Sequence, residues 1–297
     1  MELLPVCLVL LSALLHALWN FFTKSSKSPR IFLLWKGAVT CAIAALVFAV
    51  KFPSDVSFKV WMFIIVSGLI HVLYWYALSA AYASGDISYV YPIARSASGI
   101  VPILAFFVLG EVPSAQGVVG IVLILAAIYL LQFRDGASGL GDILAFLKKR
   151  DAVWAFVTLG TVVAYSLVDK AGMAEFHASS GLPGYYRPIV FYLAIASISL
   201  FGYGITVVVR FPAKEILAVG KREWWLALLG GLMTFASYGL ILYVMMTEQV
   251  GYIVSVRQSS VVFGVLLGAL FLNESYGKVR FVASVLIVVA VFLIATA

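Results

Sequence analysis

Residues 60–111, VWMFIIVSGLIHVLYWYALSAAYASGDISYVYPIARSASGIVPILAFFVLGE, decide the fold when laid over residues 223–274, EWWLALLGGLMTFASYGLILYVMMTEQVGYIVSVRQSSVVFGVLLGALFLNE. The two align without a gap at an offset of 163 positions. Gly68 falls on Gly231, Leu69 on Leu232, Tyr89 on Tyr252, Ser96 on Ser259, Leu109 on Leu272 and Glu111 on Glu274. Apolar segments share some identities by chance, so the retained spacing of a paired-span unit closing in L-x-E carries more weight than the identities. A weaker match sets HALWNFFTK of the first apolar run over VVAYSLVDK near residue 165, with Lys24 on Lys170. The chain therefore reads as a tandem repeat.

The solvent these repeats are built for follows from composition. The 297 residues are 64% hydrophobic and 11% charged, and mean hydropathy is +1.09. Soluble domains average about 45–50% apolar and about 25% charged residues. Lipid is the solvent that accepts such an excess. About 20 apolar residues cross about 30 Å of hydrocarbon, and the runs predict spans at 4–23, 31–50, 60–83, 88–109, 116–133, 152–170, 187–209, 224–247, 252–272 and 279–296. The runs are continuous and lack period-two alternation, which indicates helices rather than a barrel. The first run has no basic residue before it and Lys24, Lys27 and Arg30 after it, the pattern of a retained span rather than a cleaved signal. The longest polar stretch, Arg134 to Asp151, leaves no room for a soluble domain.

The expected fold is thus all-α, a polytopic membrane protein of ten transmembrane helices in two five-helix repeats, residues 1–135 and 136–297. Five is odd, so the second repeat enters with opposite topology. Inverted repeats are characteristic of secondary transporters, whose substrate site lies near the midplane between the halves. Placing both termini outside puts thirteen Lys and Arg residues in inner loops against four (Lys51, Lys59, Lys170 and Arg187) in outer ones.

Two five-span units, each with a fourth helix closing in L-x-E, a short fifth span after it and a Lys closing the first helix, resemble the drug/metabolite transporter superfamily, specifically its EamA-type members. The resemblance covers nearly the whole chain. It implies that spans 1–4 and 6–9 line a central cavity, with spans 5 and 10 peripheral and available for homodimer contacts. It also implies small organic metabolites as cargo, often exported, and a multi-pass protein of a bacterial plasma (inner) membrane. Family members are described with cytoplasmic termini, opposite to the side the loop charges favour.

Charge inside the spans marks candidate sites. Of the 20 Lys and Arg residues, Lys36, Arg95 and Arg257 fall within predicted spans. The acidic residues fall in loops or at span ends, with Asp169 the nearest exception. An intramembrane charge costs at least about 2.5–3.5 kcal/mol and is a functional-site hypothesis by default. Arg95 follows Pro92, which leaves nearby carbonyls short of donors, and shares a helical face with Tyr91 and Ser98. Its planar fork suits a carboxylate or phosphate; the structural alternative is an Arg tied to carbonyls of a neighbouring helix. Arg257 and Gln258 are adjacent on span nine, so one or the other faces the interior. Lys36 either assists Arg95 or snorkels.

Polar stripes complete the candidate set. Span one carries Ser12, His16 and Asn20 with Trp19 alongside; span three carries Ser67, His71 and Tyr74-Trp75-Tyr76. Span six offers Thr161, Tyr165 and Asp169, and span eight Thr234 and Tyr238. The residues expected to bind cargo are Arg95, Tyr91, Trp19, Asn20, His16, His71, Tyr74, Tyr165, Tyr238, Arg257, Gln258 and Lys36. Small and polar residues also serve as helix-packing glue, and either histidine can relay protons or simply bond across helices. Trp61, Trp224 and Trp225 have the place of interfacial anchors.

These features predict a carrier for a small organic anion or zwitterion with a carboxylate, phosphate or sulfonate. The spans place it in membrane lipid; no nucleic-acid partner is expected, because the basic residues are dispersed. No P-loop points to ATP, and no cofactor or metal motif occurs: Cys7 and Cys41 are isolated, and His16, His71 and His177 form no HExxH or HxxxH pair. A flippase for a lipid-linked phosphate is the alternative, and a membrane-embedded enzyme the remoter one.

Overall fold

The computed structural model describes residues 1–84, 93, 96–130, 152–271 and 278–297. Tyr91, Pro92 and Arg95 lie outside the described residues, as do Tyr89, Leu272 and Glu274 of the repeat. Every regular element among the described residues is helical: α1 Leu3–Ser25, α2 Pro29–Val50, α3 Phe58–Ser84, α4 Ala97–Leu109, α5 Ala115–Leu130, α6 Ala152–Ser179, α7 Tyr186–Arg210, α8 Ala213–Met245, α9 Val250–Val256, α10 Ser260–Phe271 and α11 Lys278–Ala295. Six of them (α1, α2, α3, α6, α7 and α8) are long and apolar enough to cross a membrane.

Three boundaries depart from the expected spans, each for a local reason. Helix α6 continues past 170 to Ser179. The polar residues at its end are paired: Lys59 Nζ donates to Glu175 Oε2 at 2.6 Å, and Arg187 Nη1 lies 2.8 Å from His177 Nδ1. Such pairs let a helix protrude beyond its apolar run. Lys170, counted above as an outer-loop charge, sits inside α6 with Nζ donating to the Met245 carbonyl at 2.9 Å. Helix α8 starts at Ala213 and bends at Glu223, whose φ of −114° and ψ of 16° are not helical. The Glu223 carboxylate accepts from Ser26 Oγ at 2.5 Å and from Arg222 Nη2 at 2.7 Å, which fixes the bend. Trp35 Nε1 donates to the Ile216 carbonyl at 2.9 Å and pins the arm before it.

The third departure is in span nine, where a 3₁₀ turn over Arg257–Ser259 separates α9 from α10. Short 3₁₀ stretches inside a helix often mark a hinge or local strain.

The described chain packs as two compact units. One comprises Met1–Ala13, Ala77–Leu167 and Glu248–Ala297. There α4 ends at Gly110, whose φ of +69° is the left-handed conformation glycine adopts without a Cβ penalty. The turn delivers Glu111 to the start of α9, where the Val250 N–H lies 2.8 Å from Oε2 and 3.1 Å from Oε1. Tyr252 Oη accepts from the Ser114 N–H at 2.8 Å nearby.

The other unit comprises Leu14–Tyr76 and Val168–Thr247. Its helices approach closely at glycines. A Cβ on Gly68 of α3 would stand 2.8 Å from Ile198 of α7, and one on Gly231 of α8 would stand 2.8 Å from Val39 and 2.9 Å from the Lys36 carbonyl of α2. Small residues at crossings are how membrane helices gain van der Waals contact without a hydrophobic drive.

Candidate substrate-binding site

The second unit carries the charged cluster. Lys36 stands in mid-α2, one turn before Thr40, and its side chain does not snorkel: the residue is 3% exposed. The crossing at Gly231 brings α8 against it, and Nζ donates to Thr234 Oγ1 at 3.2 Å. Thr234 Oγ1 in turn donates to the Gly230 carbonyl at 2.7 Å, so its lone pairs face the ammonium. Nζ lies 3.8 Å from the centre of the Trp19 ring and 4.7 Å from that of Trp75. Among the described residues no carboxylate pairs with it.

Magnitudes decide what this arrangement lacks. An ammonium has three donors, and the described protein meets one. Each indole face contributes about 0.5–2 kcal/mol, while burying a single ion costs several kcal/mol. The box is short of an acceptor. Trp19 adds to the deficit: its Nε1, on a residue 4% exposed, is buried without a hydrogen-bond partner among the described residues.

Asp169 is the second buried charge, 0% exposed in α6. The sequence placed it near a span end; the structure instead encloses it inside a longer helix. Its carboxylate accepts from Ser67 Oγ of α3 and from Tyr238 Oη of α8, the latter at 2.5 Å. His71, one turn beyond Ser67, has Nδ1 2.9 Å from the Ser67 carbonyl and 3.3 Å from its Oγ, which assigns the Nδ1 proton to the carbonyl. Hydrogen bonds to a charged group are worth about 1.5–3 kcal/mol each, so the two hydroxyls offset only part of the several kcal/mol that burying the ion costs. No protein cation joins them among the described residues.

Aromatic rings connect the two charges. His71 packs edge-on to Tyr238 at 5.7 Å and to Tyr74 at 6.3 Å, and Tyr74 meets Trp75 at 5.1 Å. Tyr192 of α7 backs Tyr238 at 5.7 Å. Helix α8 closes the circuit, because Thr234 and Tyr238 stand one turn apart, about 6 Å of rise.

The structure thus groups Trp19, His16, Lys36, His71, Tyr74 and Tyr238 from the expected set. His16 packs edge-on against Trp19 at 5.0 Å, while Asn20 Nδ2 donates to the His16 carbonyl within its own helix at 2.7 Å. Tyr165, Arg257 and Gln258 belong to the first unit; Tyr165 and Gln258 are buried there and Arg257 is half-buried. Asp169, Ser67, Trp75, Thr234 and Tyr192 join the cluster without having been singled out as binding residues. The i, i+4, i+8 stripe of Thr161, Tyr165 and Asp169 is the signal that was available for Asp169. Nothing in the sequence distinguishes Tyr192.

Known proteins agree with a membrane carrier. The model of the EamA-like transporter family matches residues 3–133 and 179–296. No curated protein matches the chain. Among solved structures 28 chains match. One of them, described only as the crystal structure of a protein, superposes with a TM-score of 0.72 over 99% of this chain and 96% of its own at 18% identity, a likeness of fold.

Proposed function

The chain belongs to the EamA-like transporter family, and from that premise we propose a secondary carrier that moves small organic anions or zwitterions by alternating access. Membership makes it an integral multi-pass membrane protein that transports small molecules, and not an enzyme. The proposal adds the architecture: ten spans in two halves, residues 1–135 and 136–297, inserted in opposite senses and rocking about a midplane site, with export as the direction. The gapless repeat supports it. So do the glycine crossings: Gly68 and Gly231 are repeat equivalents, and each carries its helix against a helix of the other half.

One observation carries the choice of cargo. Lys36 is buried against two indoles and a hydroxyl with no carboxylate partner among the described residues. An anionic group of the cargo supplies what the box lacks. Arg95, on the proline-bearing span, and Arg257 or Gln258 are proposed as further cargo-binding residues from their positions in the sequence alone. Aromatic rings of Trp19, Tyr74 and Tyr238 form the apolar wall.

The test is counterflow in proteoliposomes across a panel of anionic, zwitterionic and cationic metabolites. The wild type moves members of the first two groups. Lys36→Met removes a charge-assisted bond of about 1.5–3 kcal/mol, which raises KM roughly 10- to 100-fold. Arg95→Ala weakens transport in the same direction. Transport restricted to cations, or normal kinetics in Lys36→Met, overturns the proposal.

A further inference from the structure

We propose that Asp169, held by Ser67 and Tyr238, is a subsite for a cationic group of the cargo, so that the protein selects zwitterions over simple anions. The inference rests on the carrier reading and names the substrate class of the same site.

Three observations converge on it. First, a carboxylate offers about four acceptor positions, and the described protein fills two, both with neutral hydroxyls. The adjacent cation is directed elsewhere, since Lys170 Nζ bonds the Met245 carbonyl. Second, the Lys36 box is deficient in the opposite sense, with ammonium donors and the Trp19 indole N–H lacking acceptors among the described residues. Third, both charges are tied to one helix a single turn apart, Lys36 through Thr234 and Asp169 through Tyr238. A cargo with both charges satisfies the two ends together, along the rings of Trp75, Tyr74 and His71.

The pairing also discriminates. A simple anion seated on Lys36 shares the cluster with the Asp169 charge, the anchors of the two groups, Thr234 and Tyr238, standing one turn apart on α8. Like charges about 7–10 Å apart at an effective dielectric of about 20 repel by an amount on the order of 10- to 100-fold in affinity, which is the scale of discrimination expected here. A cationic cargo is disfavoured by Lys36 in the same way. A zwitterion meets attraction at both ends.

The probes are matched trios: leucine, 4-methylpentanoate and 3-methylbutylamine, and phenylalanine, 3-phenylpropanoate and 2-phenylethylamine. Binding is read by thermal shift on the purified protein, and transport by counterflow. In the wild type the amino acid of at least one trio binds 10- to 100-fold more tightly than its acid or amine. Asp169→Asn, nearly isosteric, brings the amino acid down to the acid and leaves the acid as tight or tighter. Lys36→Met weakens amino acid and acid alike. Tyr238→Phe, which keeps the ring and frees one carboxylate oxygen, narrows the preference and serves should Asp169→Asn not fold.

Equal binding of acids and amino acids to the wild type overturns the subsite. So does a preference that survives Asp169→Asn or, where that variant does not fold, Tyr238→Phe. Counterflow of acids without amino-acid preference sinks the subsite and leaves the carrier. The expected binding ratios with no counterflow sink the carrier and leave the subsite. No binding and no movement of any probe sinks both.

Discussion

Glu111 shows how a single residue gives a sequence motif its physical content. It sits just beyond the left-handed Gly110, where its carboxylate accepts the first N–H of α9 through both oxygens. Gln249, at the N-cap position, makes no side-chain cap, so Glu111, from the turn after α4, supplies both the missing acceptor and a negative charge at the positive end of the helix dipole. Glu111→Ala is expected to destabilise by about 1–2 kcal/mol, the scale of a lost N-cap, and to lower the detergent melting temperature. Glu111→Gln recovers part of the loss by keeping an acceptor without the charge. An unchanged melting temperature in the alanine variant refutes this role. The motif was legible in sequence; what it bonds to was not. Lys36 was legible too, because a cation in an apolar run stands out. Asp169 was obscured by its neighbours: Asp169, Lys170, Glu175 and His177 together look like the end of a span, and only their separate pairings reveal a helix running on to Ser179.

At the scale of elements, helix positions were readable because apolar runs about 20 residues long have few alternatives. Interruptions were not. The 3₁₀ turn at Arg257–Ser259 contains no proline or glycine, and the bend at Glu223 depends on Ser26, distant in sequence. The glycine crossings were legible as a repeat and became packing only with coordinates. Gly231 is the more exacting, since the neighbours of an added Cβ include the backbone oxygen of Lys36 as well as Val39. Gly231→Leu therefore forces α2 and α8 apart and draws Lys36 from Thr234. The expected result is a loss of transport of at least about tenfold with a lowered melting temperature, overpacking costing about 1–3 kcal/mol. Gly239, with nothing within 4 Å of an added Cβ, is the control: Gly239→Ala is expected to behave as wild type. Equal behaviour of the two variants refutes the crossing as the cause.

For the whole molecule, the ten-span proposal makes a topological prediction. An even number of spans puts both termini on one side and the 134–151 connection on the opposite one. Epitope tags at each end and within that connection, probed by protease in sealed vesicles, are expected to divide two against one. Termini on opposite sides refute ten spans. Which side they share is where the thirteen-to-four loop charge bias and the family resemblance differ; Lys170, now inside a helix, removes one of the four outer charges and leaves the bias unchanged in sign.

The bend in α8 has a bearing on depth. A straight helix of 33 residues measures about 50 Å, well beyond the roughly 30 Å that hydrocarbon occupies. A turn at Glu223 suits a helix whose first arm, Ala213–Arg222 with Lys214, Lys221 and Arg222, lies among the headgroups, and exposed Trp224 and Trp225 next to the bend are the residue type expected at that level. The helix behaves as a plumb line hung from that bracket. In that arrangement Thr234 and Tyr238, and with them Lys36 and Asp169, would hang at a level set by the lipid surface as well as by the chain's own packing.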